Sequence, residues 1–238
     1  MEYRKEDINI LYEDNHIIVV VKPVGIPVQE DKSGDIDMLT LIKEYIKEKY
    51  SKPGNVYLGL VHRLDRMVGG VMVFAKTSKA ASRLSNYIRE KNFKKRYMAI
   101  VNGKLEITNK WITLNHYLVK NEKINMSRTC TKDTKGAKLA ELDYKVISNF
   151  KYNNKDYSKV DINLHTGRHH QIRVQLASIN APIYGDIKYG QKINKVGEKL
   201  ALWSYYLSFF HPTKDEYLEF TYLPTENKYC DKIWKEAK

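Results

Sequence analysis

The chain has 238 residues, 42% of them hydrophobic, so it can bury a sizeable core and is not a disordered protein. Its 41 lysine and arginine residues outnumber 28 acidic ones, and the formal net charge of +13 predicts attraction to a polyanion such as RNA, DNA or an anionic membrane surface. Eighteen tyrosines and three tryptophans suit stacking on nucleobases as well as ordinary core packing. A general lysine bias of the composition is the alternative explanation of the charge.

Membrane insertion and secretion are both disfavoured. The longest apolar runs, such as 17–21 and 71–75, hold about five residues, well short of the ~20 that span a bilayer. The first ten residues lack the apolar centre of a signal peptide. Cys130 and Cys230 are too few for a disulfide framework or a cysteine-based zinc site. These features predict a protein of the reducing cytoplasm.

The first part of the chain shows clear hairpin and helix patterns. Two short β-branched runs, 8–11 and 17–21, predict a hairpin. A helical stripe predicts a helix over 38–50 with Asp37 as its N-cap, and a second helix is predicted over 78–90 after the cap Thr77.

The stretch 60–77, LVHRLDRMVGGVMVFAKT, places one acid among three bases before a double glycine and a strand. His62, Arg63 and Arg66 flank Asp65, and nearby positive charge favours the ionised form of a carboxylate. Such a group can act as a nucleophile or as a base. From charge alone, a surface salt-bridge cluster is the favoured interpretation, and both alternatives stay open at this point.

The segment 93–103, FKKRYMAIVNG, begins with Lys94, Lys95 and Arg96 and continues from Tyr97 as an apolar strand. Because successive side chains of a strand point to opposite faces, Arg96 and Tyr97 cannot point the same way. One of them is expected to reach solvent or nucleic acid and the other the core or a cleft. An ordinary strand tyrosine behind a solvated basic turn is the alternative.

The second half of the chain reads as strands joined by irregular segments. Strands are predicted over 111–114, 139–147, 160–164, 201–210 and 217–222, with a polar hairpin tip at 149–158 and a short helix or tail over 231–238.

The stretch 160–177, VDINLHTGRHHQIRVQLA, predicts a strand, a turn at Thr166 and Gly167, and a basic helix from about Arg168. A helix start already favours anions through its backbone N–H groups and dipole, so a phosphate or carboxylate is expected there. Three histidines suggest zinc, but the cluster lacks an HExxH pattern and an acid, and we expect no metal. The basic and polar residues at this helix start are Arg168, His169, His170, Gln171 and Arg173.

The loop 182–190, PIYGDIKYG, has two glycines at a spacing found in phosphate-binding loops. Gln191 follows where such a loop requires lysine and then serine or threonine, and no buried strand leads into it. We therefore expect a turn-rich loop without that function.

Three separated stretches together resemble the RluA-type family of RNA pseudouridine synthases: HRLDR with GGVMVFAKT, KKRYMAIVNG, and LHTGRHHQIRVQLA with PIYGDIKYG. The opening ILYEDNHIIVVVKPVGIPVQ and the closing FHPTKDEYLEF are also similar to that family's flanks, so the resemblance covers nearly the whole chain. It implies isomerisation of uridine in RNA without a cofactor. The C1′–N1 bond breaks, the uracil reorients, and a C1′–C5 bond forms.

The resemblance also implies roles for individual residues. Asp65 matches the essential carboxylate, which attacks the ribose C1′ or the uracil ring or assists a route through a glycal. Tyr97 is similar to the tyrosine that stacks on the target base, Arg173 to the arginine that pairs with the carboxylate, and Arg63 to the one that holds the flipped-out nucleotide. The other expected RNA contacts are Arg66, Lys94, Lys95, Arg96, Arg168, His170 and Gln171.

One departure from the family pattern motivates a second hypothesis. Where relatives carry a Thr-Ser or Thr-Thr pair after HRLDR, this chain has Val68 and Gly69, which removes hydroxyl groups near Asp65. An RNA-binding or RNA-folding protein that keeps the scaffold without turnover is therefore the alternative. A metal-dependent nuclease, motivated by the histidines, is the third.

We expect an α+β fold with a mixed, mainly antiparallel central sheet flanked by helices, which can form two lobes with Asp65 in the cleft. The expected organisation is a single catalytic domain over 1–238, without a separate N-terminal S4-like RNA-binding domain. The expected function is that of a monomeric, cytoplasmic pseudouridine synthase that acts on ribosomal or transfer RNA and needs no cofactor, metal or membrane.

Overall fold

The computed structural model describes residues 3–227 and 230–237. Its helices are α1 (Met38–Lys49), α2 (Ser78–Arg89), α3 (Gln171–Ser178) and α4 (Ile233–Glu236). Its strands are β1 (Asn9–Glu13), β2 (Ile17–Lys22), β3 (Gly59–Leu60), β4 (Gly69–Ala75), β5 (Lys94–Asn102), β6 (Ile112–Asn121), β7 (Met126–Cys130), β8 (Lys138–Tyr152), β9 (Lys155–Leu164), β10 (Leu202–Phe210) and β11 (Tyr217–Thr221). These elements form two compact units, 3–94 with 204–227 and 95–203 with 230–237.

The first unit is built on antiparallel strand pairs. β1 pairs with β2, β2 and β3 pair with β4, and β10 pairs with β11, all antiparallel. The hairpin predicted over 8–21 is therefore present, although β1 extends to Glu13. Every residue of β2 and β4 is buried, which explains why both read as continuous apolar runs rather than as alternating ones.

Two helices cover this unit, and both begin where the capping signals placed them. The Asp37 carboxylate accepts a hydrogen bond from the Thr40 N–H at 3.1 Å, and the Thr77 hydroxyl accepts one from the Ala80 N–H at 3.2 Å. The core joins β2, β4, β10 and α2 through Ile17, Val19, Val71, Val73, Ala75, Ala80, Leu84, Phe93, Leu207 and Phe209.

The second unit is an antiparallel sheet in the order β5, β9, β8, β6, β7. Tyr97 lies opposite Ile162, and Ile162 opposite Tyr144, so these side chains share one face. Val174 of α3 packs on the same face against Leu118 and Ala140. We call this the α3 face and the opposite one, which carries Arg96, the Arg96 face.

One sequence prediction for this unit was wrong in extent, and one strand was not predicted. The hairpin tip predicted over 149–158 is shorter than expected, because β8 and β9 continue into this segment and pair as far as Tyr152 and Lys155. Asn153 and Asn154 alone make the turn, with φ of 47° and 59°, a conformation that asparagine tolerates and that matches the twist of a two-residue hairpin. β7, with the sequence MSRTC, was missed because it has no clear apolar alternation.

The helices of the structure are short. α1 and α2 have twelve residues each, and nowhere in residues 3–227 and 230–237 is there a helix with the length and apolar character needed to cross a membrane.

Gly70 lies where the backbone of Ser204 approaches too closely for a side chain. Its φ is +125°, and a Cβ at this position would lie 2.1 Å from the Ser204 carbonyl oxygen of the same unit. Gly34 also has a positive φ of +71°, but nothing lies within 4 Å of an added Cβ. Gly34→Ala should therefore cost only backbone strain, roughly 1 kcal/mol, and Gly70→Ala roughly 3 kcal/mol or more, because a backbone clash adds to the strain. Equal losses in urea unfolding of the two variants would contradict this packing.

Candidate active site

Asp65 lies in the segment between β3 and β4, in the first unit. Its carbonyl oxygen accepts a hydrogen bond from the Val68 N–H at 3.0 Å, which closes a turn over 65–68. Leu64 and Val68 on either side are only 8% and 2% exposed. The carboxylate is thus carried by a short turn whose two ends are held in the core.

A buried lysine holds this turn through hydrogen bonds to its backbone carbonyls. Lys22, the last residue of β2, is fully buried, and its ammonium donates to the carbonyl oxygens of Pro23, Arg66 and Val68 at 2.9, 3.0 and 2.7 Å. Burial lowers the pKa of Lys22 to about 7, while the negative charge of Asp65 opposes that shift. Since an ammonium has three N–H groups, these carbonyls satisfy it completely.

The neighbouring arginines bind the loop that follows β2. Arg66 donates through Nε to the Gly25 carbonyl at 2.9 Å and through Nη1 to the Ser33 hydroxyl at 3.0 Å, and it forms an ion pair with Asp35. Arg63 donates to the Gln29 side chain at 3.3 Å. Both arginines are exposed, and both belong to the set that the sequence predicted to contact RNA.

The remaining residues of the motif have structural contacts. The His62 Nε2 accepts a hydrogen bond from the Val73 N–H at 3.2 Å, and its ring meets Phe93 edge-on with centroids 5.5 Å apart. Val68 is 2% exposed and contributes an apolar side chain to the core.

Tyr97 and the bases before it are separated by the pleat of β5. Tyr97 is 5% exposed and lies on the α3 face. Arg96 lies on the opposite face, where it forms an ion pair with Asp161 and its guanidinium carbon is 5.4 Å from the centroid of the exposed Trp111 ring. The alternation that the sequence predicted is present, and it directs Arg96 away from Tyr97.

Lys95 shares the face of Tyr97. A Cβ placed on Gly167 would lie 3.9 Å from the Lys95 ammonium, which locates this ammonium beside the turn before α3. Burial lowers the pKa of Lys95. Lys94, one residue earlier, is exposed. Of the three consecutive bases, Lys95 is the one placed with Tyr97.

Arg173 lies on α3 and is 6% exposed. It forms a two-point ion pair with Asp186, in which Nε is 2.7 Å from Oδ2 and Nη2 is 2.8 Å from Oδ1. The family resemblance implies that Arg173 pairs with the catalytic carboxylate, Asp65, and that pairing stays a prediction. Within the second unit, Arg173 binds Asp186.

The basic cluster around the start of α3 is organised differently from the prediction. The helix begins at Gln171, not near Arg168, because His170 has a left-handed backbone with a φ of 53°. Burial and the positive charge of Arg173 lower the pKa of His170 to about 2, so its imidazole is neutral. The Gln171 amide accepts from the Thr166 hydroxyl at 2.8 Å and the Arg168 N–H at 3.0 Å, and donates to the Glu141 carbonyl at 3.1 Å. Arg168 itself is exposed and donates through Nε to the Leu139 carbonyl at 2.9 Å.

The three histidines of this region have separate partners. His165 contacts Asp143 at 2.6 Å, His169 contacts the Ser127 hydroxyl at 3.0 Å, and His170 contacts the Tyr189 hydroxyl at 2.9 Å. In the part of the chain that the structure describes, no group of three or more His, Cys, Asp or Glu side chains is arranged to hold a metal ion.

Three residues of these networks were not singled out from the sequence. Lys22 follows five apolar residues of a buried strand, and a lysine in that position is itself a signal of an internal charge. Asp186 and Tyr189 stand in the loop 182–190, which resembles the family as a stretch but indicates no role for either residue. Lys22 binds carbonyls 44 and 46 residues away, and Arg173 is 13 residues from Asp186.

Replacing Lys22 tests the support of the Asp65 turn. Lys22→Met keeps the chain length but leaves three carbonyl groups without their donor, so we expect a loss of roughly 3 kcal/mol of unfolding free energy in urea. Lys32→Met, on an exposed lysine of the same unit, should change stability by no more than about 0.5 kcal/mol. Comparable stabilities for the two variants would show that the buried ammonium does not hold the turn.

Comparison with known proteins identifies the family. The profile of the RNA pseudouridylate synthase family matches residues 16–178. An RNA pseudouridine synthase of Aquifex aeolicus is 34% identical over 224 residues, which cover 90% of this chain and 68% of that protein. Ribosomal large subunit pseudouridine synthase C of Buchnera aphidicola is 34% identical over 220 residues, which cover 86% of this chain and 63% of that protein. The chain thus spans about two thirds of the length of these relatives.

The fold agrees with this match. The structure of human RNA pseudouridylate synthase domain containing 1 superposes with a TM-score of 0.73 at 24% identity, covering 95% of this chain and 89% of that one. The predicted α+β fold with a mainly antiparallel sheet is confirmed. The match of the family profile and the identity to its members also confirm the prediction of an isomerase that acts on RNA. The chain belongs to the RNA pseudouridylate synthase family.

Proposed function

We propose that the chain converts uridine to pseudouridine in large-subunit ribosomal RNA, with Asp65, Tyr97 and Arg173 as its catalytic residues. The observation that supports this most is the family match over residues 16–178, which includes all three positions. The turn of Asp65 is anchored in the core, and Tyr97 lies on the α3 face of the second unit's sheet, the face on which the helix of Arg173 packs. These are properties expected of groups that must hold a fixed geometry.

In the proposed reaction, Asp65 assists cleavage of the C1′–N1 bond, the detached uracil turns, and C5 bonds to C1′. The proton on C5 is lost and N1 gains one, so no redox change or external energy is involved. Tyr97 supplies an aromatic face for the flipped base, and Arg173 compensates negative charge at the reacting carboxylate. Extruding the uridine costs a few kcal/mol, which stacking and phosphate contacts offset.

The substrate is inferred from a relative and from charge. The Buchnera relative is named for the large ribosomal subunit, and a formal net charge of +13 suits a substrate with dense phosphate groups. Transfer RNA is the alternative substrate. We also propose a monomeric, cytoplasmic enzyme, because one chain supplies all three candidate catalytic residues and its cysteines, Cys130 and Cys230, are free thiols that suit a reducing compartment.

The residues proposed to contact RNA directly are arginines and lysines. Arg63, Arg66, Lys94 and Arg168 are exposed, and Lys95 lies on the face of Tyr97. Arg96 would contact RNA from the opposite face of the sheet, beside Trp111. His170 and Gln171 would act by shaping the turn before α3, since their polar groups bind protein partners.

Asp65→Asn tests the catalytic assignment. With RNA labelled by tritium at uridine C5, wild-type protein should release tritium from ribosomal RNA, and Asp65→Asn should be slower by roughly 10⁴-fold or more, because an amide cannot replace the carboxylate. Asp215→Asn changes an exposed carboxylate of the same unit and should release tritium at the wild-type rate.

Two outcomes would contradict the proposed activity or mechanism, and a third would contradict the substrate alone. Release that persists in Asp65→Asn would exclude the mechanism, and no release by wild type from either ribosomal or transfer RNA would favour the RNA-binding alternative. Release from transfer RNA alone would keep the mechanism and overturn the substrate.

Lys95 and Lys94 form a matched pair for RNA binding. Lys95→Met should weaken affinity for RNA and reduce the slope of log K against log salt by roughly one, because one phosphate contact is lost on the face of Tyr97. Lys94→Met removes the same charge from the opposite side of β5 and should have the smaller effect. Filter binding over a range of salt concentrations measures both slopes, and an unchanged slope in Lys95→Met would remove Lys95 from the proposed RNA contacts.

A further inference from the structure

We propose that Asp186 is a positioning residue for the isomerisation, acting through Arg173, and this inference rests on the proposed function. The loop that carries Asp186 would then serve to hold a guanidinium in one orientation. Nothing in the sequence pattern of this loop, which fails as a phosphate-binding loop, assigns it that role.

The pair itself restricts the guanidinium. Asp186 binds the Nε and Nη2 edge of Arg173 with two hydrogen bonds of 2.7 and 2.8 Å, a fork-to-fork geometry that allows one orientation of the planar group. Nη1 lies at the end of the group away from Asp186. Both side chains are shielded, with 7% and 0% exposure, so solvent cannot replace either partner.

The Asp186 carboxylate is also held by backbone N–H groups of its own loop. Asp186 Oδ1 also accepts hydrogen bonds from the N–H groups of Lys188 and Tyr189 at 3.0 and 3.2 Å. The residue before it, Gly185, has a φ of +73°, and a Cβ there would lie 2.4 Å from the Lys199 carbonyl oxygen. The turn therefore accepts only glycine at this position and keeps the carboxylate in place.

The same loop is joined to β5, the strand of Tyr97. The Asn194 amide donates to the Asp186 carbonyl at 3.1 Å, and the Asn102 amide of β5 donates to Asn194 at 3.0 Å. A continuous set of hydrogen bonds thus runs from β5 through Asn194 and Asp186 to Arg173. It ties the loop that holds Arg173 to the strand that carries Tyr97, five residues along that strand from Tyr97.

The ring of Tyr189 packs against the guanidinium of Arg173. Its ring centroid is 5.3 Å from the guanidinium carbon of Arg173, within the range of a cation–π contact. Its hydroxyl accepts from the Ser127 N–H at 2.8 Å and contacts His170 at 2.9 Å, which fixes the ring between β7 and α3. Arg173 is therefore held along one edge by a carboxylate and on one surface by an aromatic ring.

The test measures kcat and the KM for RNA separately, from steady-state rates of tritium release. Asp186→Asn keeps the volume but removes the charge and one half of the fork, so we expect the rate of tritium release at saturating RNA to fall by roughly 10²-fold, with KM nearly unchanged. In an Arg173→Ala background the same substitution should cause little further loss, since Asp186 acts only through that guanidinium. Asp143→Asn, a hydrogen-bonded carboxylate on the Arg96 face, is the control and should keep the rate within about twofold of wild type.

A wild-type rate in folded Asp186→Asn, or a full additional loss in the Arg173→Ala background, would overturn the inference. A loss that follows the folded fraction measured by circular dichroism would show a structural role only, which would also overturn it. If Asp186→Asn does not fold, Tyr189→Leu and Tyr189→Phe replace it, and the leucine variant should be the slower because it alone loses the ring over Arg173. Failure of the proposed function would look different, since wild type itself would then release no tritium.

Discussion

Lys22 places a positive charge in the interior of the first unit, and the segment that carries Asp65 is folded around that charge. A buried ammonium is tolerated only when its three N–H groups are satisfied, and here the carbonyls of Pro23, Arg66 and Val68 satisfy them. The residues just after Asp65 are thereby tied to the end of a central strand. A catalytic carboxylate needs such a support because small displacements of reacting groups have a large cost in rate.

The second unit also contains a buried charge that protein partners must compensate. Arg173 is shielded from solvent, and Asp186 compensates it with two short hydrogen bonds. A buried ion pair contributes little net stability, because desolvation of both groups offsets their attraction. Its value lies in specifying one arrangement of the guanidinium, which is the property that the proposed catalytic role of Arg173 requires.

Strand geometry directs neighbouring basic residues to different faces of the sheet, where they have different partners. Lys94, Lys95 and Arg96 are adjacent in sequence, yet the pleat of β5 places Lys95 with Tyr97 and directs Arg96 to Asp161 and Trp111. Near α3, His170 is neutral and Gln171 closes a turn. The basic side chains therefore do not form one uniform positive surface, because several of them bind other groups of the protein.

The sequence by itself determined the family, the fold class and the start of the two twelve-residue helices, α1 and α2. Local signals suffice for these, since Asp37 and Thr77 cap helices through neighbours three residues away, and the motifs around Asp65, Tyr97 and Arg173 are contiguous. Only the tertiary structure decided that Lys22 supports the Asp65 turn, that α3 begins after a left-handed His170, and that Asp186 binds Arg173. These depend on burial and on contacts between distant segments, which residue types and spacing do not encode.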